Sequence, residues 1–101
     1  MQLLKSNVTA VFAVSDFYAL EFMSFLQGKN IQIPEDIQII GFDDNMASRE
    51  SNPSLTTIHQ EANLRAKAAI ECLEAMRDGA EYKTEIVLPV DLIQRESTRK
   101  L

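Results

Sequence analysis

The chain has 101 residues, of which 46% are hydrophobic and 25% charged, with a formal net charge of −5. That is enough apolar material for one small folded domain, and it excludes a disordered or low-complexity chain. The acidic balance speaks against gripping nucleic-acid phosphates, which takes clustered Lys and Arg to displace counterions.

Met1 to Lys5 faintly resembles a secretory leader but lacks a basic start and a small-residue cleavage site, so no signal peptide is expected. Val8 to Val14 then forms an apolar run that breaks at Ser15 and Asp16, as a buried strand ending in a polar loop does. Ala19, Leu20, Phe22, Met23 and Leu26 recur at three- and four-residue spacing, predicting an amphipathic helix from Asp16 to Gly28. Ser15 or Asp16 is placed to cap its start, and Gly28 to close it. Asn30 to Asp36 reads as a turn leading into a second strand, Ile37 to Phe42, which stops at two carboxylates, Asp43 and Asp44.

Strand, helix, strand in this order implies a right-handed crossover and two parallel strands. Their carboxyl ends share one edge of the sheet, where open α/β folds place their ligands. Ser15, Asp16, Asp43 and Asp44 are therefore expected as neighbours. Asn45 to Ser54 reads as a short helix or loop, and Leu55 to Ile58 as another extended piece. From Glu61 to Arg77, Ala62, Ala66, Ala69, Ile70, Leu73 and Met76 make a helical stripe, with Gly79 just past the last turn. Thr84 to Leu88 and Val90 to Ile93 are two short strand-like runs split by Pro89, and Gln94 to Leu101 reads as a charged tail.

The lone cysteine, Cys72, cannot form an internal disulfide and suits a reducing compartment, the cytoplasm by default. It has no companion base and reads as a packed thiol. No apolar run approaches the ~20 residues of a membrane span. His59 has no second His or Cys at ligand spacing, so no metal site is expected, and no cofactor motif is present.

Four ordered blocks resemble the effector-binding domain of the LacI/GalR family of bacterial transcription repressors: Thr9 to Asp16 with Ala19, Ile33 to Asp44, Pro53 to Gln60, and Leu88 to Thr98. Together they cover nearly the whole chain. The resemblance implies an α/β fold: a parallel-sheet, Rossmann-like carboxyl-terminal lobe of a periplasmic-binding-protein-like domain, incomplete. Residues 1–101 would then be a carboxyl-terminal fragment of a sugar-effector-binding and dimerisation domain, corresponding to the last third of a repressor. DNA is bound in the family through a helix-turn-helix domain that has no counterpart in this chain. The helix from Glu61 to Arg77 corresponds to one that packs on the family's other lobe.

The resemblance also assigns residues. Asp43 matches the carboxylate that accepts hydrogen bonds from effector hydroxyls, and the chemistry suits it: an ionised carboxylate takes two vicinal O–H donors in charge-assisted bonds. Ser15 and Asp16 match the neighbouring cleft positions, although the family commonly has Asn where Ser15 stands. Gln60 matches a further cleft residue, whereas Ala62 replaces an aromatic and Glu21 a common Gly. Leu20, Met23 and Ser24 are expected at a homodimer interface, because Tyr18, Phe22 and Phe25 extend the first helix's apolar surface beyond one stripe. The bland alternatives are capping for Asp16 and Asp44, and a deeper intramolecular core for the aromatic face.

Two other classes stand beside this reading. One is an interaction module that binds only copies of itself or a longer repressor. The other is an Mg²⁺-holding acidic site built from Asp16, Asp43 and Asp44, as in response-regulator receiver domains. The chain lacks the further Lys and Ser/Thr of the receiver order, a P-loop and a GxSxG turn, so no catalysis is expected.

Overall fold

A computed structural model describes residues 7–100; Met1 to Ser6 and Leu101 lie outside the described residues, and with them the leader-like stretch. The elements in order are β1 (Ala10–Phe12), α1 (Asp16–Gly28), β2 (Gln38–Phe42), α2 (Met46–Glu50), β3 (Thr56–Gln60), α3 (Ala62–Arg77) and β4 (Val90–Ile93). They fall into two units, one built from the chain up to His59 together with the segment from Asp91, the other from Gln60–Val90.

In the first unit the strands lie in the order β1-β2-β3-β4. β1 and β2 are parallel, with Val11 level with Ile39, and β2 and β3 are parallel, with Gly41 level with Thr57. The expected α/β parallel sheet is thus present. β4 is the exception: the Arg95 N–H, just past its end, donates to Thr56 Oγ1 at the start of β3, so β4 runs opposite to its neighbour.

The spacing that predicts α1 also decides what it buries. Ala19, Met23 and Leu26, at i, i+4 and i+7, are all in the core with Ile33, Ile37, Ile39 and Leu55. Burying each large aliphatic side chain there is worth about 1.5–3 kcal/mol. Met23, expected at a dimer interface, is only 2% exposed and belongs to this core, because its spacing from Ala19 and Leu26 puts it on their face.

The helix ends follow local chemistry with small shifts from expectation. Ser15, in an extended conformation, caps α1 by accepting the Tyr18 N–H at 3.2 Å, which leaves Asp16 as the first helical residue. At the other end Asn30 takes the left-handed conformation (φ 60°). Its N–H donates to Gln27 O and the Ile31 N–H to Leu26 O. This paired closure needs a residue that tolerates positive φ, and Asn serves; Gly28 is the last helical residue. α2 is capped by Asn45, whose Oδ1 accepts the Ser48 N–H at 2.9 Å, one residue later than the Asp44 cap expected from sequence.

The expected tail is not a tail. Ser97 is wholly buried, its hydroxyl donating to Ile39 O at 2.6 Å and accepting from Thr56 N–H at 2.8 Å. Its backbone N–H donates to Ser54 O and its carbonyl accepts from Ile39 N–H. The returning segment therefore ties β2 to β3 at the end opposite the Asp43–Asp44 turn.

The second unit holds α3 and the segment after it. Gly79 (φ 71°) closes α3 as expected, with Ala80 N–H donating to Ala75 O. Ala68, Cys72 and Ala75 are half-buried, and the Cys72 thiol faces Lys83 O at 3.8 Å. No residue of α3 is fully buried, and Ile70, Leu73 and Met76 are exposed. Thr84 to Leu88 forms no strand, against expectation: its β-branched composition suits a ladder, but no strand neighbours it, and an extended segment without a partner gains nothing from that propensity.

Candidate functional site

The turn that follows β2 is built from two consecutive residues with positive φ, Asp43 (119°) and Asp44 (55°). Asp tolerates the left-handed region better than most residues, yet each such position still costs on the order of 1–3 kcal/mol and persists only where its surroundings over-determine it. Here they do. Asp43 N–H donates to Ile58 O at 2.9 Å, Asp44 N–H to Thr57 Oγ1 at 3.2 Å and Asn45 N–H to Asp16 Oδ2 at 2.8 Å.

Asp16 braces the turn from beneath. Its side chain is wholly buried, and its other oxygen accepts the Thr57 hydroxyl at 2.6 Å. Two hydrogen bonds and its place at the start of α1, where the helix dipole favours negative charge, compensate its burial. The carboxylate fits only because position 41 is Gly: a Cβ there would lie 2.3 Å from Asp16 Oδ1 and 2.8 Å from Leu55 Cδ2.

Asp44 braces the turn from the side. Its side chain is 6% exposed and faces Arg95 Nη2 at 2.5 Å, His59 Nδ1 at 3.0 Å and Arg49 Nη2 at 3.3 Å. Burial alone would push this carboxyl up; hydrogen bonds and charge from Arg95 and Arg49 outweigh it and hold the group below its ordinary value of 3.8. Arg95 is itself anchored, with Nη1 donating to Ser48 Oγ at 2.8 Å and to Leu55 O at 3.0 Å.

Ser15, Asp16 and Asp43 therefore meet at one sheet edge, as the strand register requires, but their roles differ. The Asp16 oxygens are turned inward to Thr57 and Asn45, so Asp16 acts as a brace. Ser15 is half-buried, and its hydroxyl oxygen caps α1. Asp43 is the exposed carboxylate of the three. Gln60 closes β3 and opens the second unit, where it lines a cleft of 220 Å³ with Leu64, Arg65 and Ile86.

The Mg²⁺ arrangement does not form: Asp44 faces cationic side chains and Asp16 faces donors. Among the described residues no group of three or more His, Cys, Asp or Glu side chains is set to hold a metal ion. No helix among them is long and apolar enough to cross a membrane.

Sequence reasoning misses Arg95, Thr57, Arg49 and His59. The available signal was the position of Arg95, a cation that follows the last apolar run by two residues and so returns with it toward the sheet. On α1, Leu20 is half-buried and Ser24 exposed. They share the helix with Phe17 and Tyr18, whose rings meet edge-on at 5.7 Å and are 62% and 60% exposed.

Comparison with known proteins gives one family. Residues 2–98 match the periplasmic binding protein-like domain. The ribose operon repressor of Lactococcus lactis is 38% identical over 97 residues, 95% of this chain and 30% of that protein. The HTH-type transcriptional repressor PurR of Pasteurella multocida is 39% identical over 92 residues, 90% of this chain and 28% of that protein. A periplasmic binding protein/LacI transcriptional regulator from Alkaliphilus metalliredigens, solved in complex with D-xylulofuranose, superposes with a TM-score of 0.83 at 33% identity, covering 99% of this chain and 39% of that one. The chain thus spans about three tenths of the length of these curated relatives.

Proposed function

This chain belongs to the family of periplasmic binding protein-like domains, in its LacI/GalR-type regulator branch, and from that membership we propose that it forms the carboxyl-terminal effector-binding and dimerisation part of a sugar-responsive transcriptional regulator. One observation carries the reading. Of the three carboxylates at the carboxyl edge of the parallel strands, Asp16 and Asp44 are turned into the protein and Asp43 is presented outward on the turn they brace. A braced, exposed carboxylate suits a polyol, because it accepts two vicinal hydroxyls with little ordering left to do on binding. The Ser15 hydroxyl beside it, with one O–H to donate, completes the polar edge.

The relatives are repressors, which argues for regulation and against catalysis. The whole regulator is proposed to act in the cytoplasm, to bind DNA through a helix-turn-helix segment outside this sequence, and to pair with a second copy through the exposed face of α1 around Ser24, with Leu20, which packs partly against the core, at its margin. The effector would act by favouring one of two conformations, with a shift limited to its differential affinity for them.

Thermal unfolding of the 101-residue chain with pentoses, hexoses and disaccharides tests the effector assignment. A sugar at a hundredfold excess over its dissociation constant adds about 2.7 kcal/mol, about 11–22 °C in midpoint for a chain of this size. Asp43→Asn, which keeps a side chain tolerant of the turn, should abolish that shift. A sugar shift that persists in Asp43→Asn would place the site elsewhere, and no shift with any sugar would leave the chain as an interaction module.

A further inference from the structure

We propose that Arg95 is a positioning residue for the effector site: by holding the Asp44 carboxylate it locks the Asp43–Asp44 turn in its left-handed backbone, and so fixes where Asp43 presents its own carboxylate. The proposal rests on the reading of Asp43 as the group that meets the effector.

Arg95 is suited to this because it is held by everything except the turn. One guanidinium nitrogen is fixed by Ser48 Oγ and Leu55 O, and the Arg95 N–H by Thr56 Oγ1. The other terminal nitrogen is left for Asp44 Oδ1, at 2.5 Å. Its side chain is 15% exposed, so this contact lies away from screening solvent. Asp44 has two other partners, but Arg49 is 58% exposed and 3.3 Å away, and His59 is 31% exposed. An exposed, flexible arginine is a weak clamp.

The turn needs a clamp. Two adjacent non-glycine residues at positive φ do not persist unless held, and the bonds made by the Asp43 and Asp44 N–H groups hold only the amides. Lysine does not replace Arg95. A single ammonium cannot reach Asp44 while also spanning Ser48 and Leu55, as a planar fork does. Without the fork the buried Asp44 carboxylate has reason to swing toward solvent, and the turn to relax.

The test uses the full chain, isotopically labelled, as wild type, Arg95→Lys, Arg95→Met, Asp44→Asn and the Asp44→Asn/Arg95→Met double variant. Backbone couplings and carbon shifts at Asp43 and Asp44 report the sign of φ, shifts at Ala19, Ile39 and Leu55 report the core, and D-ribose and D-xylulose are the titrated probes. Both Arg95 variants should lose positive φ at Asp43 and Asp44 with the core shifts in place, and bind the responsive pentose roughly tenfold or more weakly. The double variant should be no weaker than Arg95→Met alone, since Arg95 acts through Asp44. If Arg95→Lys keeps the positive φ and wild-type affinity, or if the Asp44→Asn and Arg95→Met losses add, the proposal is overturned. Should Arg95→Met fail to fold, Arg95→Lys decides the question by itself. If wild type binds neither pentose, the effector reading fails for this sugar class, and the coupling measurement alone decides whether Arg95 locks the turn.

Discussion

Gly41→Ala probes the packing beneath the site with one methyl group. The added Cβ would lie 2.3 Å from Asp16 Oδ1, where ordinary contact begins at 3.4 Å, so the carboxylate must move by more than an ångström. It cannot do so and keep the 2.6 Å bond from Thr57 and the 2.8 Å bond from Asn45 N–H. Hydrogen bonds to a charged acceptor are worth about 1.5–3 kcal/mol each. The 2.8 Å approach to Leu55 adds an overpacking cost of about 1–3 kcal/mol. The sum, about 4–9 kcal/mol, is a large share of the 5–15 kcal/mol typical of a folded domain. Urea unfolding followed by circular dichroism should show the loss as a lower midpoint at unchanged slope, and thermal unfolding as a drop of about 15 °C or more. Because the cost runs through Asp16, Asp16→Ala and Gly41→Ala should be less than additive when combined. A Gly41→Ala loss below about 1 kcal/mol, or strict additivity with Asp16→Ala, refutes the reasoning.

Three further outcomes are expected. Asp44 lies below its ordinary 3.8 in the folded chain, because Arg95 and Arg49 outweigh the opposing effect of burial, so its ionised form favours the fold. Its contribution is whole above about pH 4 and is lost as pH falls through the lower folded value; Asp44→Asn should be less stable at pH 7 and show a shallower acid limb in unfolding measured from pH 6 to 2. Ser97→Ala removes a buried hydroxyl that serves Ile39 O and Thr56 N–H, and should cost about 2–4 kcal/mol in urea unfolding. Ser24→Arg, on the exposed outer face of α1, should leave thermal stability at low protein concentration within about 0.5 kcal/mol of wild type while reducing self-association in sedimentation velocity.

α1 and β2 are legible in the sequence because their signals are local. The 3.6-residue recurrence of Ala19, Met23 and Leu26 names the buried face, and the break from Phe42 to Asp43 marks the end of the strand. The ordered blocks add the family. What the sequence hides is whatever depends on distant partners. Gln94 to Lys100 is charged and reads as solvated, yet its value to the fold lies in backbone groups and one serine hydroxyl that meet Ser54, Thr56 and Ile39. Periodicity carries no trace of such contacts. The caps shift by one residue for a related reason: Ser15 and Asp16, or Asp44 and Asn45, cap comparably well, and the choice is made by Thr57 and Arg95, which claim the aspartates. At the candidate site, Asp43 and Ser15 were visible as residues, but the bracing that separates the outward carboxylate from the two inward ones was not.

The return of Ser97 to β2 also sets a timetable for folding. The Ile39 carbonyl meets a hydroxyl 58 positions further along the chain. At about 5–20 residues per second of synthesis, that wait is about 3–12 s. Through that interval β1, α1 and β2 can associate, since their contacts are close in sequence, while the base of the sheet lacks its closing segment. Contacts this remote also raise the loop-closure entropy that refolding must overcome, so this segment is expected to join the structure late. A nascent chain of this kind presents an open sheet end to its surroundings for seconds, which makes chaperone engagement during translation consequential for this segment.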